Sequence, residues 1–171
     1  MSFKALVLSG AMGLCAFGVS QTGAIRDPSA VEHLNGEHPA EYYKRAATLF
    51  RQGKQDDAVF VFYLGQLRYR ARLLAHPGLD PSGEPALFAS LSQVVGKPLN
   101  EYAFGDIPRL LSTIDAVLDY DLKNADSFTP PSAFPEAWRQ AREGLSKMRA
   151  QVETDADAIR MRRQKNGLPN R

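Results

Sequence analysis

Glycine and proline recur at helix-length intervals along this chain, and no segment between them alternates with the two-residue period of a half-buried strand. That punctuation limits the fold to helices packed on helices. Pro39 stands at a first helical position, and Tyr42, Ala46, Leu49 and Phe50 follow at helical spacing until Gly53 supplies a left-handed exit. Asp56 and Asp57 can cap the positive end of a longer segment, 58 to about 75, which closes at Pro77 and Gly78 with His76 favoured at its negative end. The first half of that segment, 58–64, is apolar without periodicity, which fits a buried strand or a helix with neighbours on every side. Its length, and Arg68, Arg70 and Arg72 further on, predict the helix.

After the turn Asp80-Pro81-Ser82-Gly83, a third helix carries Leu87, Phe88, Leu91, Val94 and Val95 on one face, and Gly96 followed by Pro98 ends it. A short irregular stretch, 98–104, leads to Gly105 and to Asp106, which caps a fourth helix with Pro108 in its first turn. Ile107, Leu110, Leu111, Ile114 and Leu118 form the apolar stripe of that helix. The segment 124–134 contains Thr129-Pro130-Pro131-Ser132 and reads as an extended crossing. A last helix, about 135–164, sets Trp138, Ala141, Leu145, Met148, Val152 and Ile159 on one side before Gly167 and Pro169 end it. The expected fold is all-α, a compact bundle of about five helices.

The opening residues differ in character: a basic start with Lys4, an apolar run over 5–19, then small and polar residues over 20–24. That order is the pattern of a cleavable signal peptide, and the run is shorter than the ~18–20 apolar residues that cross a bilayer. Export to the periplasm is therefore expected, with Gly18, Ser20 or Ala24 as the last residue removed and no stable membrane anchor left. Leu14 stands before Cys15 where lipidation needs a small side chain. Without the leader, 1–24, the chain has no cysteine, hence no disulfide and no thiolate chemistry. Loss of Lys4 from 21 basic residues leaves 20 against 19 acidic ones, so no strong global field draws the protein to nucleic acid or anionic lipid. The remainder, 25–171, suits one domain, since a chain near that length buries ~70% of its unfolded surface.

Chemistry is sparse. His33 and His38 lie five apart, off the spacing that puts two ligands on one helix face, and His-Glu-x-x-His is absent. There is no Gly-x-Ser-x-Gly and no phosphate-binding glycine loop, so neither metal nor cofactor nor catalytic residue is expected. Glu101, beside Tyr102 and Phe104, is the one acid placed to sit in a cleft, and it lacks the partner that acid catalysis requires. Asp115, Asp119 and Asp121 read as a solvated helix surface. The acid-free run holding Arg160, Arg162, Arg163, Lys165 and Arg171 has no stacking aromatics nearby. It is expected to complement the negative end of the last helix or to meet an acidic partner rather than nucleic acid.

Tyr42, Ala46, Leu49, Gly53, Ala58, Phe62 and Gly65 follow the large, small, large, turn, small, aromatic, small order that resembles one tetratricopeptide unit over 38–71, with Arg45 and Arg70 departing from it. The resemblance implies a tight helical hairpin with Tyr42 in the core and Tyr43, Phe50 and Arg51 on its open side. Asn100-Glu101-Tyr102 before Gly105-Asp106, and Ile159-Arg160 through Arg163 to Asn166-Gly167-Leu168, resemble small exported helical proteins of Gram-negative bacteria, some of them immunity factors that accompany secreted toxins. That likeness implies a protein partner such as a toxin neutralised by direct binding.

Aromatic and arginine side chains are the usual anchors of protein interfaces, and two places supply them: Tyr43, Phe50 and Arg51 on the first helix, and Asn100, Glu101, Tyr102 and Phe104 in the irregular stretch. An envelope adaptor or chaperone that holds an extended segment is the alternative binding role, and a small envelope hydrolase using Glu101 the alternative chemistry. Intact mass of the protein from the envelope fraction should give a chain beginning at Val19, Gln21 or Ile25; a chain still carrying Met1 would contradict the leader.

Overall fold

A computed structural model describes residues 28–171, and among them every regular element is a helix. A 3-10 turn at Pro28–Val31 is followed by α1 (Ala40–Arg51), α2 (Gln55–Ala75), α3 (Glu84–Val94), α4 (Gly96–Ala103), α5 (Ile107–Lys123), α6 (Pro135–Thr154) and α7 (Ala156–Lys165). The expected leader lies outside the described residues. None of these helices is long and apolar enough to cross a membrane.

α2 is the axis. The apolar run 58–64 is helical, and every side of it is covered: all of 57–65 is buried, as are Leu67, Arg68, Tyr69 and Ala71. A helix apolar all round must have neighbours all round, and α2 packs on α1, α3, α4, α5 and α6. Its closest partner is α1, reached through Gly53 at φ +77, where the Lys54 N–H donates to Leu49 O at 3.0 Å. Gly65 sets how near the two helices come: a β-carbon there would stand 2.4 Å from the Tyr42 β-carbon. Tyr42, Tyr43, Ala46 and Leu49 fill the seam from the α1 side.

Three predicted boundaries move. α2 begins at Gln55, so Asp56 and Asp57 lie inside its first turn, where they complement the positive helix end rather than cap it. Gly96 and Pro98 do not lead into an irregular stretch, because Val95 keeps helical angles and α4 starts at Gly96. Pro98 sits in the first turn of α4, where its missing N–H has no partner to lose. Gly96 serves close packing instead, since a β-carbon there would come within 2.9 Å of the Phe62 ring. The long last helix likewise divides at Asp155, whose φ of −93° and ψ of 9° break the ladder between α6 and α7. The third stripe also splits: Phe88, Leu91 and Val95 pack inward, while Leu87 (43% exposed) and Val94 (71%) face out. Predictions for α5 hold, with Asp106 Oδ1 accepting the Arg109 N–H at 3.1 Å and Pro108 in the first turn.

The core also contains an ion network. Arg68 is 1% exposed and donates through Nη2 to Asn124 O at 2.7 Å and through Nη1 to Tyr42 Oη, with Asn35 Oδ1 at 3.4 Å and Asp126 Oδ1 at 3.5 Å. Its Nε lies 3.6 Å from Asp121 Oδ1, and Asp121 Oδ2 accepts from Arg142 Nε and Nη2 at 3.0 and 2.8 Å. Asp121 is therefore not the solvated surface acid its sequence position suggests; it is 1% exposed, and burial pushes its carboxyl above the ordinary range against the pull of Arg142. Asp115 and Asp119 do lie at the surface, paired with Arg149 and Lys123. Asp126 also accepts the Thr129 N–H at 3.0 Å, and Thr129 O accepts from Trp138 Nε1 at 2.8 Å, which fastens the non-helical crossing 124–134 to α6.

Removing one member of a buried ionic set leaves the others uncompensated, a loss of about 3–5 kcal/mol. Arg68→Met should lower the urea unfolding free energy by about that amount; a loss below about 1 kcal/mol would mean that the network is dispensable.

Candidate functional site

α4 is short and amphipathic. Leu99 and Ala103 point into the core, so the other side chains of its turns fall on two flanks. On one flank Tyr102 donates its hydroxyl to Asp56 Oδ1 at 3.1 Å, and Asp56 Oδ2 accepts from Arg109 Nη1 at 2.8 Å. Phe50 meets the Tyr102 ring edge-on at 6.0 Å, and the Arg171 guanidinium covers that ring at 3.9 Å. Burial, and then the Asp56 charge, hold the Tyr102 phenol above its ordinary range. Phe50 and Tyr102, fifty-two positions apart in sequence, thus form one aromatic cluster.

On the other flank α4 faces α7 across an open groove of about 420 Å³, walled by Lys97, Asn100, Glu101, Phe104, Ile159, Arg162, Arg163 and Asn166. Asn100 is held from beneath, because the buried Tyr63 hydroxyl donates to its Oδ1 at 2.9 Å. Burial also drives the Tyr63 phenol well above its ordinary value. Arg163, 7% exposed, is held by Pro169 O at 2.7 Å and Asn170 Oδ1 at 3.2 Å. The chain then returns to α4, with Arg171 N–H on Gly105 O at 2.6 Å and Arg171 Nη2 on Tyr102 O at 2.7 Å. This end of the molecule is closed by the segment that the sequence presents as a basic tail.

The expected site residues divide accordingly. Asn100, Glu101 and Phe104 share the groove, and Phe50 and Tyr102 share the neighbouring cluster. All but Phe50 stand on α4 or at its C-terminal cap, not on an irregular loop. Arg51 is exposed at the end of α1 and donates to Thr48 Oγ1 at 3.1 Å, outside the groove walls. Tyr43 is a correction. It is 0% exposed, because α3 folds over the side of the hairpin that would otherwise be open, and its ring packs edge-on against Phe62 and Phe88. Burial pushes its hydroxyl up to about 12. Lys97, Ile159, Arg162, Arg163 and Asn166 join the site. The sequence marked Ile159 to Asn166 only as a basic run and a family likeness, without bringing it to α4, and gave no signal for Lys97.

The groove's charges are unmatched. Among the described residues, Lys97 and Arg162 have no carboxylate partner, and Glu101 has no cation within pairing distance. Arg109, Arg139, Arg149 and Arg160 are in ion pairs, whereas Arg51 and Arg70, exposed on the first two helices, bond Thr48 and cover the Phe88 ring instead. His38 is packed on Tyr69 and Phe128 and its Nδ1 accepts the Ala40 N–H at 3.1 Å, a helix-capping role. Among the described residues no three His, Cys, Asp or Glu side chains converge in a way that could hold a metal ion.

Glu101 is exposed and unpaired, so Glu101→Gln should leave the unfolding free energy within about 0.5 kcal/mol. Tyr102→Ala, which strips the Asp56 bond and the Phe50 and Arg171 contacts, should cost about 2 kcal/mol in the same denaturant titration; equal losses in both variants would contradict the assigned roles. Comparison with protein-family models, with curated proteins and with solved structures gives no match for this chain.

Proposed function

We propose that this protein is an exported protein-binding module, an immunity protein that neutralises a secreted interbacterial toxin by direct binding, and that the α4–α7 groove with the adjoining aromatic cluster is the binding face. One observation carries this reading: α4 presents Asn100, Glu101 and Phe104 in a concave groove and Tyr102 with Phe50 directly beside it. Aromatic rings next to unpaired charges on a rigid helix supply both the area and the orientation that a specific interface needs. The helical hairpin of α1 and α2, in the tetratricopeptide manner, is the scaffold under that face; Gly65 and Ala46 permit its tight seam. The periplasm is the proposed compartment, on the pattern of the opening residues.

The reading predicts a dependence on attackers. Cells deleted for the gene should be outcompeted by their parent in dense mixed culture and rescued by the wild-type chain. Equal survival of the deletion strain, in a background where the parent secretes toxins, would remove the immunity reading. A deletion that disturbs the envelope in pure culture would favour an adaptor role.

A further inference from the structure

The pairing of charges over the surface is uneven. On α5, α6 and most of α7 each exposed arginine has found an acid: Arg109 with Asp56 and Asp106, Arg139 with Glu136 and Glu143, Arg149 with Asp115 and Glu153, Arg160 with Asp157. Arg51 and Arg70 lack an acid too but stand singly on α1 and α2, whereas at the α4–α7 groove cations without an acid converge on one concave surface. Lys97 and Arg162 stand exposed on its walls with no acid, and Arg163 between them is committed to a backbone carbonyl and an amide. Against these three cations the groove holds one carboxylate, Glu101. Its apolar surface comes from Phe104 and Ile159, both half-buried and both packed on the core, so it is fixed in place before any ligand arrives.

We propose that the occupant of this groove is a short acidic–apolar segment of the partner protein, with a carboxylate between Lys97 and Arg162 and the following apolar side chain on Phe104 and Ile159. The inference rests on the protein-binding reading and adds the chemistry of the partner. Arginine matches a carboxylate through two parallel donors, and its guanidinium is more weakly hydrated than an ammonium, so Arg162 fixes orientation while Lys97 adds field. Glu101, on the α4 wall, repels a second acid and so sets where the carboxylate must lie. A volume of about 420 Å³ suits one or two side chains rather than a whole helix.

The test uses the purified full chain, isotopically labelled for amide NMR, titrated with a peptide of alternating glutamate and leucine and, separately, one of alternating lysine and leucine. The glutamate peptide should shift the amides of Lys97, Phe104, Ile159 and Arg162 and bind about tenfold more tightly than the lysine peptide, with affinity falling as salt is raised. The double variant Lys97→Glu, Arg162→Glu changes exposed, unpaired residues, so it should keep the wild-type melting curve and reverse that preference. Equal binding of the two peptides, shifts confined to other helices, or the same shifts from inorganic phosphate alone would each overturn the proposal. The mixed-culture competition separates the two claims. A charge-reversed protein that still protects cells refutes the acidic occupant and leaves immunity standing; selective peptide binding by a protein that never protects refutes immunity and leaves the groove's chemistry standing.

Discussion

One buried guanidinium organises this fold. Arg68 leaves α2 near its middle and meets groups from α1, α5, the crossing and the segment before α1, while Asp121 extends the set to Arg142 on α6. Burying these charges has a desolvation cost comparable to what their attraction returns, so the network is not a simple source of stability. What it does supply is register. Apolar side chains on α2 could slide by a turn against their neighbours at modest cost, whereas Arg68 has one depth at which Asn124 O, Tyr42 Oη and Asp126 are all within reach. The same charges hold the crossing down, since Asp126 both faces Arg68 and accepts from the Thr129 backbone.

The proposed binding face is fixed by a second set of contacts on the same axial helix. α4 is only eight residues long, below the length at which an isolated helix is stable, so its position comes from its contacts. It sits on α2 through Leu99, through the Tyr63–Asn100 bond and through Gly96 against Phe62; Asp56, at the start of α2, joins it to α5 through Tyr102 and Arg109. The segment that follows α7 returns to it, with Arg171 on Tyr102 and Gly105. The groove is the space left because two helices approach without packing, a different origin from a cavity cut into a core.

Sequence reasoning reached the helices whose ends depend on local chemistry. Gly53 at positive φ and Asp106 as a cap need nothing from the rest of the chain, and both stand where the pattern put them. It failed where tertiary packing decides. Gly96 and Pro98 look like a stop, yet a proline in a first turn is as compatible with a start, and only the Phe62 ring reveals why glycine is required. Arg68 and Arg70 are two residues apart, so opposite sides of one helix carry a 1% exposed cation and an exposed one, and nothing in the letters says which is which. Asp121 is hidden for the same reason, since its burial depends on two distant arginines. Tyr43 was expected on an open face that only α3, folding back, could close.

The lone tryptophan has a bearing on how this molecule can be watched. Trp138 lies fully buried against the crossing, its indole nitrogen on Thr129 O and the Arg142 guanidinium 4.9 Å above its ring, while the groove is walled by α4 and α7. Its fluorescence is thus wired to the ionic centre, so emission will follow loss of the charged core, and ligands arriving at the distant wall will leave it dark to their presence.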